Sequence, residues 1–259
     1  MIQPQLNHYN IAPGVVAFST TRRGGFSVGS YAEFNINGFC GDSQESIVRN
    51  RAALCRLLGI ADDRLFMPHQ VHLTASAAID DAFLSLTPQQ QAEKLDGIDT
   101  IMTALCGVCI GVSTADCIPV LLYDSRQSVA CAVHAGWRGT VRRIAQKAVE
   151  DMTALYGSLP QDIRAQIGPG ISVESFEVGD EVYQAFADAD FDMPAISRRD
   201  EKWHLDLPLC NRQQLLDAGV QPENVGKMDV CTYQHPDTFF SARRLGIQSG
   251  RIFTGIMIK

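Results

Sequence analysis

"STADCIPVLLYDSRQSVACAVHAGWRGT", residues 113–140, is the stretch whose reading decides the fold. Two apolar runs, 118–123 and 129–134, flank the polar break 124–128 and read as two mostly buried strands joined in a hairpin. Folding the hairpin about 124–128 sets Tyr123 opposite Val129 and Ile118 opposite His134, with Cys117 one position beyond the histidine's partner. Cross-strand Cβ atoms lie about 4.5–5.5 Å apart. A one-residue offset puts two side chains on opposite faces, so a bulge or the strand end must re-aim one of them. With that device the thiol of Cys117 and the imidazole of His134 meet.

A cysteine and a histidine at this range serve two chemistries: a thiol nucleophile with its base, or a metal site, for which zinc takes both donors. A metal needs a third ligand. The histidines outside the hairpin are His8, His69, His72, His204 and His235, and "MPHQVH" (67–72), read as a short strand carrying imidazoles, is the most suggestive segment. Spacing alone does not choose between His69 and His72.

Working outward, 15–21 and 104–113 read as further strands, as do the tail segments "TFFSARR" and "RIFTGIMI". Residues 43–58 read as a helix with Val48, Ala52, Cys55 and Leu58 on one face, a capping box at Asp42 and Glu45, and Gly59 as its stop. A second helix runs from Thr140 with Val141, Ile144, Ala145, Ala148, Met152 and Leu155 in a stripe closed by Gly157. Helices follow near 177–187 and 208–217, the latter N-capped by Asp206. No repeat or linker divides the chain, so residues 1–259 read as one domain of mixed α+β class, with helices covering sheet faces.

The composition is ordinary for a protein with a sizeable core: 46% hydrophobic and 20% charged residues. A net charge of −7 argues against a nucleic-acid binder, which presents a basic face. No run approaches the roughly 20 apolar residues that span a bilayer. The opening "MIQPQLNHYNIAPG" lacks the basic-then-apolar pattern of a secretory signal, so the expectation is a cytoplasmic protein whose eight cysteines are reduced thiols. "CGVC" (106–109) reads as core packing, because positions three apart in a strand point to opposite faces. "IGPGIS" (167–172) reads as a tight turn and lacks the third glycine of a dinucleotide fingerprint. "RRGG" (22–25) and "FFSARR" (239–244) offer Arg22, Arg243 and Arg244 as anion candidates.

Taken together, "STTRRGG", "FNIN" with "GD…VRNR", "HQVH", "TADCIPVLLYD", "AVHAGWRGT", "IGPGIS…FEVGDEV" and "CTYQHPDTFFSARR" resemble, in order and over nearly the whole chain, the bacterial laccase-domain family. That family was once labelled multicopper polyphenol oxidase. Its members are described as purine nucleoside phosphorylases with adenosine deaminase activity, and one branch as a peptidoglycan editing factor. The resemblance implies an α/β/β/α layered sandwich with mixed sheets, related to cysteine hydrolase-like toxins. It implies metal ligands at His72, Cys117 and His134, which settles His72 over His69, and it matches a catalytic acid to Asp116 and the loop arginine to Arg22. Zinc is the expected cofactor. A blue-copper site adds a weak axial ligand to two histidines and a cysteine, and six histidines in all are too few for a multicopper oxidase.

The activity so implied is phosphorolysis of adenosine, inosine and methylthioadenosine and deamination of adenosine, with Asp116 moving protons and Arg22 and Arg138 holding phosphate. Purine nucleosides and phosphate are then the partners. Two alternatives stand beside it: a cysteine amidase acting on misbuilt peptidoglycan precursors through Cys117 and His134, and a nucleoside-binding protein without turnover. The chain departs from the family's pattern at Ala242, where an aromatic is usual, and at Leu245, where an acid is.

Overall fold

The quoted stretch forms the hairpin β7 (Ile118–Asp124) and β8 (Val129–Ala135) in a computed structural model that describes residues 3–259. Every residue of both strands is buried, the physical reason for their near-continuous apolar runs. The register differs by one residue from the expected one: Asp124 pairs with Val129, Tyr123 with Ala130 and Pro119 with His134. Asp124 extends the ladder because its Oδ1 accepts the amides of Arg126 (2.8 Å) and Gln127 (3.3 Å), closing a tighter turn. The shift has a direct consequence. Cys117 stands two positions before Pro119, the partner of His134, and a two-residue offset keeps side chains on one face without any bulge.

The hairpin lies in a six-stranded mixed sheet whose spatial order is β13 (Val225–Lys227), β9 (Ile163–Ile167), β7, β8, β5 (Thr100–Thr103) and β4 (Ser76–Ala78). A five-stranded sheet runs β1 (Leu6–Tyr9), β2 (Val15–Thr20), β14 (Ile252–Ile258), β6 (Cys109–Thr114) and β3 (Leu65–Phe66). A small third sheet holds β10 (Glu177–Val178), β12 (Trp203–Leu205) and β11 (Ser197–Arg199).

The alternation of side chains along β7 and β8 then sets the layers. Leu121, Tyr123, Ala130 and Ala132 meet Ile110, Val112 and Ile256 of the five-stranded sheet in a shared core. Val120, Leu122, Cys131 and Val133 face the other way, onto Ile144, Ala148, Val149 and Met152 of the helix Ile144–Tyr156. On the far side, Phe18, Cys109 and Phe253 pack on Leu54 and Cys55 of the helix Gln44–Leu58. The result is a single-domain α+β sandwich with helices on both outer faces.

Several local expectations are corrected. The helix from Thr140 is two: Trp137–Val141 and Ile144–Tyr156, separated at Arg143, whose φ of 62° leaves the helical region. Gly157 does close the second. Val48 and Leu155 are exposed; the buried face of the helix Gln44–Leu58 is Ile47, Asn50, Ala53, Leu54 and Cys55. Asp42 forms no capping box, because its Oδ2 accepts Ser27 Oγ (2.6 Å) and Asn35 Nδ2 (2.9 Å). The strand expected over 104–113 starts only at Cys109, and "TFFSARR" is a turn leading into the short helix Ala242–Leu245, capped by Ser241. Asp206 caps the helix Leu207–Asp217 as expected, accepting the Leu209 amide at 2.8 Å. Among the described residues, no helix is long and apolar enough to cross a membrane.

Candidate metal centre

The structure brings His72, Cys117 and His134 together, their donor atoms all within 4.8 Å of one another. His134 is buried near the end of β8, Cys117 is half-buried just ahead of β7, and His72 is exposed on the loop after β3. That loop is not a strand. His72 has φ 63° and Asp116, beside the cysteine, has φ 86°, left-handed conformations that turn each ligand toward the centre. Gly136 makes the approach possible: a Cβ there meets His72 Cδ2 at 2.7 Å and Cys117 Sγ at 3.1 Å. His69 takes no part in the cluster; its ring lies on Phe39 and its Nδ1 meets Asp96 Oδ1 at 2.6 Å.

The residue that organises the centre is one the sequence reading missed, Asp99. Its fully buried carboxylate accepts the amides of Val71 (3.3 Å), His72 (3.0 Å) and Leu73 (2.8 Å), a nest of successive N–H groups opened by the left-handed His72. Its Oδ1 also meets His134 Nδ1 at 2.7 Å. That bond fixes the imidazole with Nδ1 as donor and frees Nε2 as the ligand atom, the outer-sphere arrangement common to metal-bound histidines. Burial alone raises the Asp99 pKa, but the bond to and charge of His134 and the loop amides bring it below the usual carboxylate range.

Cys117 and His134 polarise one another. Burial opposes the thiolate, yet the charge and hydrogen bond of His134, aided by His72, bring the Cys117 thiol down to about 6. Burial likewise opposes the imidazolium, yet the thiolate and Asp99 push His134 up to about 9. In metal-stripped protein the thiolate fraction rises as pH passes upward through about 6. Alkylation of Cys117 by iodoacetamide is therefore expected to level off above about pH 7, with the Cys117→Ala protein as the blank. A rate still climbing through pH 8–9 would mean an ordinary thiol.

The remaining expected site residues are not among those lining the cavity onto which the cluster opens, although Asp116 directly precedes Cys117. Asp116 is buried with both carboxylate oxygens taken, by Thr232 Oγ1 and the Arg243 amide, each at 2.7 Å. It ties the start of β7 to the C-terminal segment. Arg138 is exposed, its guanidinium 4.3 Å from the Trp137 ring centre. Arg22 donates from Nε to the Ala32 carbonyl (2.8 Å) and from its terminal nitrogen to that of Pro236 (2.7 Å), 4.8 Å from the Phe240 ring centre. Arg243 and Arg244 likewise donate to the carbonyls of Glu177 (2.9 Å) and Tyr233 (3.4 Å). Arg22→Ala is accordingly expected to cost roughly 1–3 kcal/mol of stability, from lost charge-assisted bonds in a half-buried setting. A melting temperature unmoved by Arg22→Ala, beside a lost phosphate affinity, would return the residue to ligand binding alone.

The three clustered residues open onto a cavity of about 460 Å³, lined also by Asn37, Phe39, His69, Gln70, Ser113 and Arg251. Gln70 is held like a strand residue: its amide accepts Ser113 N and donates to Ser113 O, both at 2.8 Å. Arg251 is the guanidinium on this cavity, positioned by the carbonyls of Ile247 (2.8 Å) and Gly250 (3.0 Å). Neither Arg22 nor Arg138 lines it. No motif flagged Arg251, which stands alone in "SGRIF".

The family model described as multi-copper polyphenol oxidoreductase laccase matches residues 16–259. The chain is 48% identical over 244 residues to a Bacteroides thetaiotaomicron protein named purine nucleoside phosphorylase, covering 93% of this chain and 90% of that one. It is 43% identical over 249 residues to adenosine deaminase RL5 of an unknown prokaryotic organism, covering 95% of each. The solved structure of Bacillus licheniformis hypothetical protein YfiH superposes with a TM-score of 0.89 at 27% identity, covering 97% of this chain and 99% of that one. With the fold, the His–Cys–His cluster and these likenesses in agreement, the chain belongs to the multi-copper polyphenol oxidoreductase laccase family.

Proposed function

We propose that the chain is a zinc-dependent purine nucleoside enzyme, phosphorolysing adenosine, inosine and methylthioadenosine and deaminating adenosine to inosine. The observation that carries this reading is the cluster His72, Cys117 and His134, oriented by Asp99 and opening on a cavity of about 460 Å³. A volume of that order suits a small-molecule ligand. The relatives named purine nucleoside phosphorylase and adenosine deaminase support the substrate class.

The donor set fits zinc. Two imidazoles and a thiolate leave a fourth position open, as catalytic zinc sites do. Blue copper adds an axial ligand, usually methionine, and none of the described residues lining this cavity is a methionine. Bound there, zinc supplies Lewis acidity and lowers the pKa of water. The protein's part is positional. Asp99 keeps the Nδ1 proton on His134, Gly136 keeps the ligands close, and the cavity walls hold the nucleoside. Arg251, which lines the cavity, supplies positive charge for phosphate in addition to the expected Arg22 and Arg138. With both oxygens engaged, Asp116 acts in this reading by positioning Cys117 and the C-terminal segment.

The test is a product screen on zinc-replete protein with adenosine, inosine and methylthioadenosine, with and without phosphate. Free base formed only with phosphate, and inosine formed from adenosine without it, are expected. Saturable binding with no product over hours would refute catalysis and leave a nucleoside-binding protein. The Asp99–His134–Cys117 alignment favours one second reading, a cysteine amidase. Amide hydrolysis that survives metal removal and is abolished by alkylation would establish it.

A further inference from the structure

We propose that Phe39, stacked on His69, is the platform on which the purine ring lies, an assignment that rests on the nucleoside reading above. The Phe39 ring is 4.3 Å from that of His69 at an interplanar angle of 28°, and both border the cavity that holds the metal cluster. Phe39 nevertheless remains 59% exposed, so the stack is not a buried packing contact. The His69 ring and the Phe39 backbone are held in place. His69 Nδ1 meets Asp96 Oδ1 at 2.6 Å, and the Phe39 amide donates to Asn37 Oδ1 at 2.6 Å. Asn37 is fixed in turn by donating from Nδ2 to Ser113 Oγ at 2.6 Å.

A single exposed phenyl is unremarkable. One already stacked on a fixed imidazole and lining a cavity is a preorganised π-surface. Such surfaces take any base through its face. Ile247, 74% exposed, borders the same cavity and adds apolar surface. The nearby amide of Gln70 is spent on Ser113, which leaves the platform to read the ring's face and not its edge. Losses on altering it are therefore expected to be similar for adenosine and inosine.

Phe39→Leu keeps apolar area and removes the π-face. It is expected to raise KM for both nucleosides roughly 10- to 100-fold, with most of the loss in KM and not in kcat, as stacked bases elsewhere lose on truncation. Phe39→Trp keeps the platform and adds an emitter to Trp137 and Trp203. Its extra fluorescence is expected to be quenched by adenosine and unaffected by ribose. Turnover in the wild type, with KM within twofold in Phe39→Leu and no quenching in Phe39→Trp, would overturn the platform and leave the reaction standing. Quenching without turnover of any nucleoside in the wild type would refute the reaction and keep the platform.

Discussion

Replacing Cys117 with alanine is expected to strip the bound metal and lower nucleoside turnover at least about 100-fold, while leaving the fold intact. The thiol is one of three donors, and its loss weakens the site by more than the roughly 10- to 100-fold that losing an outer-sphere partner costs. A bound metal supplies several kcal/mol of charge stabilisation in the transition state, and that contribution leaves with it. The substitution removes a single half-buried atom at the head of β7, so the core is untouched. Cys131 makes the contrast. It lies fully buried between β5 and β7, where burial pushes its thiol far up, and Cys131→Ala is expected to lower stability without changing metal content. Undiminished metal in the Cys117→Ala protein would remove the residue from the centre.

The second large effect is expected at Asp99. Its two oxygens accept four N–H groups: His72 N and His134 Nδ1 at Oδ1, Val71 N and Leu73 N at Oδ2. Asp99→Asn turns one of those oxygens into an NH₂ group facing donors, so two N–H groups lose their acceptor inside the protein. Breaking a buried charge pair of this kind costs roughly 3–5 kcal/mol. The loop carrying His72 loosens, His134 loses the bond that fixes its tautomer, and metal affinity falls about 10- to 100-fold. Thermal unfolding and metal titration on the same preparation check both arms. Wild-type stability together with wild-type metal affinity in Asp99→Asn would contradict the role given to this carboxylate.

The hairpin that governs the fold was legible because both its strands are buried on both faces, and a run such as "IPVLLY" has few other readings. Its register was not, since the Asx turn at Asp124 adds one ladder position that composition does not mark. Cys117 and His134 followed from the hairpin; His72 followed only from the family resemblance, because a left-handed residue on an irregular loop has no periodic signature. Asp99 escaped for the same reason that makes it effective. It lies just ahead of the buried strand β5 in "DGIDT", and its partners come from residues 71–73 and 134, distant in sequence. Arg22 shows the opposite limit: a guanidinium on a glycine-bearing loop suggests phosphate, but a sequence does not say which cavity it borders, and in the fold Arg251, not Arg22, is among the residues lining the metal cavity. Side-chain bonds to backbone distant in sequence leave no trace in a sequence pattern, whereas a local one, the N-cap at Asp206, was readable.

The central claim, that His72, Cys117 and His134 hold zinc, is tested most directly by X-ray absorption on the purified protein. The account predicts a zinc edge and a first shell of one sulfur at about 2.3 Å with imidazole nitrogens at about 2.0–2.1 Å, the sulfur vanishing in Cys117→Ala. A copper edge, or a zinc shell with no sulfur in the wild type, would contradict it.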